Sequence, residues 1–150
     1  MNFRYFLIVL TFPFLQNCET STNDLSFDTT PAIKIVAVDK DTLVQFLDSL
    51  IITIEYEDGD GDLGTSDPDV NSIFVKDARL ELADEYYLPP LAPEEARVSI
   101  TGEIQLILKP TFLLGNGDQE QTKYSVYWVD RAGNQSNLVE TQDILIKKQN

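Results

Sequence analysis

Three aspartates, Asp58, Asp60 and Asp62, alternate with glycine in the segment DGDGDLG, which spans residues 58–64. Carboxylates this close together repel one another unless they are solvated, protonated or joined by a cation. Oxygen ligands of this kind suit Ca²⁺ among the metals common in proteins. The segment therefore predicts a calcium site. The alternative is a solvated acidic turn, because aspartate and glycine are also the ordinary residues of tight turns.

The spacing matches the twelve-residue calcium loop of helix–loop–helix proteins only in part. With Asp58 at position one, the ligand positions three, five, seven, nine and twelve are taken by Asp60, Asp62, Gly64, Ser66 and Asp69. Leu63 stands where the template requires glycine, and the β-branched run at residues 50–57 predicts a strand instead of a helix. The segment is therefore interpreted as a calcium-type loop on a β-scaffold.

Length and charge narrow the range of functions. The chain has 150 residues, enough for one domain with a proper core. Its net charge of −14, from 25 acidic and 11 basic residues, repels phosphate backbones, so we expect no nucleic-acid partner. The chain has no histidine, which is the commonest transition-metal ligand and the usual general base. Zinc or copper sites and Ser–His catalysis therefore have little to build on.

The first residues predict export and anchoring. Residues 1–17 are typical of a secretory signal, with an apolar run too short for a comfortable membrane span. The run ends in LQNC, whose cysteine is Cys18, and this ending resembles the lipobox of bacterial lipoproteins, with Gln16 and Asn17 replacing the usual small residues. The resemblance implies an acylated Cys18 held in a lipid bilayer. The alternatives are a plain cleaved secretory peptide and a buried first strand. The polar residues 18–30 predict a flexible tether.

From residue 31 to residue 150 the pattern predicts an all-β domain, an antiparallel β-sandwich of about seven short strands separated by turn residues. The predicted strands are residues 32–38, 50–57, 71–77, 97–100, 103–109, 122–129 and 143–147, with residues 80–88 as a second candidate for the short strand between Asp77 and Glu103. Tyr124, Val126 and Trp128 share one face of their strand, so we expect all three in the core.

The strand that starts at Tyr124 ends in DRAGN at residues 130–134, and this stretch looks like the penultimate strand and hairpin of bacterial Ig-like and fibronectin-III-like repeats. The DGDGDLG loop is similar to loops of small bacterial surface lipoproteins with the same fold. The resemblance implies that the two loops lie at one end of the sandwich, with Asp77 away from them. Asp130 and Asn134 are then either additional metal ligands or only turn caps.

The leading functional hypothesis is a non-catalytic lipoprotein of the bacterial cell envelope, at the outer membrane. Its calcium-stabilised sandwich would present loops to an envelope protein or a glycan. The alternative is a carboxylate-dependent glycan-processing enzyme, or an accessory glycan-binding subunit, which uses a pair among Asp58, Asp60, Asp62 and Asp77. A small sandwich without long catalytic loops offers little enclosure for such chemistry.

Overall fold

The computed structural model describes residues 28–109 and 111–149. The predicted signal sequence, Cys18 and most of the predicted tether therefore lie outside the described residues. Within the described ranges the secondary structure consists of strands and turns, and no helix there is long and apolar enough to span a membrane. The all-β prediction is confirmed for this part of the chain.

The strands are short and follow one another closely along the chain. They are β1 (Ala32–Val38), β2 (Thr42–Val44), β3 (Leu50–Asp58), β4 (Ile73–Asp77), β5 (Asp84–Tyr86), β6 (Ile100–Leu108), β7 (Gln119–Thr122), β8 (Tyr124–Trp128), β9 (Val139–Glu140) and β10 (Ile144–Lys147). They form three sheets, of order β1-β3-β6, β2-β10-β7 and β5-β4-β8-β9, and every pairing is antiparallel except that of β2 with β10.

Strand β3 sets the direction of the first sheet. Its sequence LIITIEYED alternates so that Ile52 and Ile54 are fully buried. Its partner β6 runs antiparallel, with Leu50 opposite Leu108 at one end and Asp58 opposite Ile100 at the other. The acidic loop therefore leaves the sheet at the end where β3 finishes and β6 begins.

The second and third sheets share interrupted strands. Only Lys123 separates β7 from β8, and only residues 141–143 separate β9 from β10. One apolar cluster joins residues of all three sheets, among them Ile52, Leu43 and Trp128. This arrangement is consistent with a β-sandwich.

The core prediction for the penultimate strand is confirmed. Tyr124, Val126 and Trp128 are all buried, and Trp128 has no exposed surface. The ring of Tyr56, from β3 in the first sheet, lies 5.7 Å from the Trp128 ring between centroids. This contact links the strand that ends at the acidic loop to the strand that ends at the DRAGN hairpin.

The longer predicted strands form within three residues of their expected bounds. The separate strand expected at residues 97–100 does not form: Arg97, Val98 and Ser99 are exposed loop, and Ile100 opens β6. The second candidate, residues 80–88, contains β5 (Asp84–Tyr86). Segments β2, β7 and β9 have two to four residues each, too few for alternation to show in the sequence.

Candidate metal centre

The loop that carries the aspartates is fixed by neighbouring backbone. Gly61 has a φ of 72°, and a Cβ at this position would overlap the carbonyl oxygen of Val98. Leu63 is fully buried and serves as the apolar anchor of the loop. Its carbonyl accepts a hydrogen bond from Leu91 N (3.2 Å), and Thr65 N donates to Leu88 O (2.9 Å). The proline-rich segment at residues 86–93 therefore braces the loop, and its Leu88 is buried in the core.

Asp58, Asp60 and Asp62 form one compact cluster. Each offers a carboxylate oxygen, and these three oxygens all lie within 4.8 Å of one another. Asp58 has no exposed surface, and the other two aspartates are partly buried. The described residues could therefore hold a metal ion at this point, as the sequence predicts.

Each aspartate of the cluster has one carboxylate oxygen without a hydrogen-bond partner. Asp58 Oδ2 accepts from Leu63 N (3.1 Å), and Asp62 Oδ2 accepts from Ala132 N (3.0 Å). The Oδ1 atoms of Asp58, Asp60 and Asp62 are all buried without any hydrogen-bond partner. Buried polar atoms in proteins are nearly always paired, so three unpaired oxygens of like charge in one place call for an external partner.

Electrostatics point the same way. Burial raises the pKa of Asp58, and the charges of Asp60 and Asp130 raise it further. Burial also raises the pKa of Asp62 to about 6, with added repulsion from Asp130, Asp60 and Asp58. The charged forms of Asp58 and Asp62 are therefore disfavoured without a cation, and a bound divalent ion would reverse that preference.

The DRAGN hairpin lies against the aspartate loop, so the predicted placement of the two loops at one end is confirmed. Arg131 N donates to Asp62 O (3.2 Å), and the Arg131 guanidinium donates from Nη1 to Gly64 O (2.7 Å). Asp130 accepts from Asn134 N (2.7 Å) and Asn134 Nδ2 (2.9 Å). Asp130 and Asn134 therefore cap the turn, and Asp130 adds negative charge beside the cluster.

Two residues that the calcium-loop template predicts as ligands make other contacts in the structure. Asp69 is exposed, and its amide donates to Asp67 Oδ1 (3.0 Å) in a separate turn. The Gly64 carbonyl accepts the Arg131 guanidinium, as described above. Leu63, which stands at the glycine position of the template, is fully buried, so the chain passes into the core directly after Asp62. Asp77 lies away from the cluster, as predicted, at the end of β4 that pairs with Tyr124.

Sequence reasoning missed the residues that position the cluster. Arg131 and Ala132 hold the Gly64 carbonyl and the Asp62 carboxylate across a sequence separation of 67 and 70 residues. Local sequence patterns do not predict contacts over such separations. The only related prediction was that the aspartate loop and the DRAGN hairpin lie at the same end of the domain. Val98, whose carbonyl confines Gly61, lies in a stretch that the sequence assigned to a strand.

The ligand chemistry favours a hard cation. Carboxylate oxygens suit Ca²⁺ and Mg²⁺, whereas zinc and copper prefer imidazole and thiolate. The chain has no histidine, and its single cysteine lies outside the described residues. Ca²⁺ tolerates irregular geometry with six to eight oxygens, while Mg²⁺ demands a near-ideal octahedron.

No protein-family model, curated protein or solved structure matches this chain.

Proposed function

We propose that this chain is a non-catalytic, lipid-anchored module of the bacterial cell envelope whose domain is stabilised by Ca²⁺ at Asp58, Asp60 and Asp62. The observation that carries the proposal is the set of three buried Oδ1 atoms without hydrogen-bond partners. One divalent cation would satisfy all three oxygens and offset their mutual repulsion. A solvated turn would instead leave these oxygens in contact with water.

We infer that the domain is an Ig-like, fibronectin-III-like sandwich. The sheet β1-β3-β6 collects the first, second and fifth strands of that fold, and β4, β8 and the interrupted β9–β10 supply the third, sixth and seventh. Strand β5 extends the sheet of β4, β8 and β9 at its edge. In that fold the loop after the second strand and the loop after the sixth strand lie at the same end, which accounts for the contact between the aspartate loop and the DRAGN hairpin.

Envelope location is supported by the LQNC motif at residues 15–18, which closes the N-terminal apolar run, and by the predicted tether at residues 18–30. Acyl chains on Cys18 would anchor the chain stably, because each buried methylene contributes about 0.8 kcal/mol. We place the protein at the outer membrane, with its loops facing an envelope protein or a glycan. Mass spectrometry of the mature protein should find an acylated N-terminal Cys18. An unmodified thiol there, or cleavage elsewhere, would remove the anchor from the proposal.

The calcium proposal is tested by thermal unfolding of the mature chain carrying Cys18→Ser, in chelator and in calcium. Extracellular calcium modules bind with a Kd of about 10⁻⁴–10⁻³ M, so about 1 mM Ca²⁺ should contribute roughly 0.4–1.4 kcal/mol. The melting temperature should rise by a few degrees, and Mg²⁺ should raise it less. Asp60→Ala should keep the fold and abolish the shift. A wild-type melting curve that is identical in chelator and in calcium would show that the loop is only an acidic turn.

The geometry gives the enzymatic alternative no comparable support. Glycosidases place two carboxylates on either side of a sugar, about 5–10 Å apart, in an enclosed cleft. Here three carboxylates converge within 4.8 Å of one another. Four surface clefts of the described residues, lined in part by Tyr124, Tyr127, Leu47 and Lys34 respectively, do not include these aspartates. The cluster is therefore built to share one small ion.

A further inference from the structure

Four large apolar side chains are exposed together at the end of the domain opposite the aspartate cluster. Phe46 and Leu47 precede β3, Phe112 and Leu114 follow β6, and each is between 42% and 69% exposed. We call these four residues the apolar tip. The rings of Phe46 and Phe112 stack with their centroids 6.2 Å apart. Exposed apolar side chains that lie close together, as these two rings do, usually mark an interaction site.

The backbone that holds the apolar tip in place is strained at Phe46. Phe46 has a φ of 61°, a conformation that bulky residues rarely adopt. Its N–H donates to Thr111 O (3.0 Å), and Leu113 N donates to the Gln45 side chain (3.4 Å). The two loops are therefore joined, and the strained residue is the one that presents an aromatic ring to solvent. Strain of this kind is retained where the surrounding structure enforces it, often at binding sites.

The rim of the apolar tip is nearly balanced in charge, unlike the chain as a whole. Residues 40–48, 109–118 and 145–149 contain four lysines and three aspartates, whereas the whole chain has a net charge of −14. Lys40 pairs with Asp48 (2.8 Å) and Lys148 with Asp118 (3.7 Å). A purely cationic rim would suit anionic lipid headgroups, and the three aspartates oppose that partner. A mixed rim fits a surface that contains the same mixture.

The chain outside the described residues joins the domain far from the apolar tip. Asp28, the first described residue, accepts a hydrogen bond from Gly59 N (3.0 Å) in the aspartate loop. Strand β3, which separates that loop from the apolar tip, has nine residues and spans about 30 Å. The ten residues from Cys18 to Asp28 reach at most about 36 Å. A domain anchored through Cys18 can therefore lie along a membrane with its tip free to meet another.

We propose that the apolar tip is a self-association surface through which two copies of this chain form a two-fold symmetric dimer. In such a dimer the same patch faces itself, so the aromatic pair of one copy covers that of the other. The lysines of one rim then face the aspartates of the partner rim. The four exposed side chains form a small interface, so the dimer is weak and depends on local concentration, as among copies anchored in one membrane.

Sedimentation velocity of the mature chain carrying Cys18→Ser, from about 1 μM to 1 mM, tests the proposal. We expect a reversible monomer–dimer equilibrium with a Kd of about 10–1000 μM, the range of small interfaces. Phe112→Ser should raise the Kd at least about tenfold, as removal of a central aromatic does. Leu82→Ser is the matched control, since Leu82 is 83% exposed but lies in the β4–β5 loop, outside the apolar tip.

Phe46→Gly separates association from folding. Glycine adopts positive φ without strain, so this variant should be at least as stable as the wild type and yet associate more weakly. A chain that stays monomeric to 1 mM, with or without calcium, would overturn the proposal, as would an equal loss of association in Leu82→Ser. Flotation with phosphatidylcholine vesicles that depends on Phe46 and Phe112, without self-association, would instead assign the apolar tip to lipid.

Discussion

Two buried carboxyl groups at opposite ends of the all-β domain differ in whether the chain supplies their hydrogen-bond partners. Asp77 accepts hydrogen bonds from Arg79 Nη2 (2.7 Å), Arg79 N (3.0 Å) and Thr122 Oγ1 (2.5 Å). Asp58 accepts from Leu63 N, and its Oδ1 is left unpaired beside the equally unpaired oxygens of Asp60 and Asp62. The chain supplies hydrogen-bond donors to both oxygens of Asp77, but it leaves one oxygen of Asp58 without a donor.

The pKa values move apart for the same reason. Burial alone would raise the pKa of Asp77, but hydrogen bonds from Arg79 and Thr122 hold it below its usual value. Burial raises the pKa of Asp58, and no cationic side chain offsets it. A buried carboxylate is therefore a structural group when the chain supplies its counter-charge. It indicates a ligand site when the chain withholds one.

The largest expected effect is on the Asp77 side of this comparison. Arg79→Ala leaves Asp77 buried without its counter-ion, and breaking such a pair costs about 3–5 kcal/mol. Arg79 also bonds Glu120 (2.7 Å), so its loss frees a second carboxylate. Urea unfolding should show the same loss in chelator and in calcium. Lys123→Ala is the control, because its pair with Asp143 is exposed at 3.7 Å and worth less than about 1 kcal/mol. Equal effects of the two variants would contradict the contrast.

The same chemical change should have opposite signs at the two ends. Asp62→Asn removes a disfavoured charge and keeps an oxygen for Ala132 N, so in chelator it should stabilise the domain by about 1–3 kcal/mol. Asp77→Asn removes the partner of Arg79 and should destabilise it. Urea unfolding in chelator compares the two variants directly. In calcium, Asp62→Asn should no longer respond to the ion. Destabilisation by Asp62→Asn in chelator would show that repulsion among the three carboxylates does not destabilise the metal-free domain.

The pH dependence of the metal-free protein should carry the signature of the aspartate cluster. Because the pKa of folded Asp62 is about 6, above the ordinary 3.8, its favourable contribution is present below about 3.8 and is lost as pH rises through about 6. Asp77 has a lowered pKa, so its contribution is lost only as pH falls through a value below 3.8. Between pH 4 and 7, wild type should therefore lose stability relative to Asp62→Asn. Calcium should make the difference in unfolding free energy between the two proteins independent of pH. If that difference is already independent of pH in chelator, the raised pKa of Asp62 is contradicted.

The sequence predicted the elements that local patterns encode. The alternation in β3 and β8 predicted both strands and the burial of Trp128, and the spacing of Asp58, Asp60 and Asp62 predicted their convergence. Whatever depends on long-range packing was not predictable from local patterns. Arg131 reaches Gly64 only because two loops fold together, and the short strand β2 pairs with β10 about a hundred residues later. Asp77 differs from Asp58 partly through a local partner, Arg79, and partly through Thr122, which lies 45 residues later and could not be assigned from a local pattern.

The smallest expected effect tests where the calcium-loop template stops. Asp69 stands at the twelfth template position, where a carboxylate normally supplies two ligand oxygens. In the structure Asp69 is exposed in a turn held by Asp67, outside the cluster of oxygens. Asp69→Asn should therefore change the calcium-dependent shift in unfolding free energy by no more than about 0.5 kcal/mol, the usual range for surface substitutions. Asp60→Asn, one charge removed from the same loop, should abolish the shift. If Asp69→Asn abolished it too, the loop would have to close around the ion by moving residues 67–70 towards Asp58, and calcium would then be reshaping the loop instead of filling a prepared site.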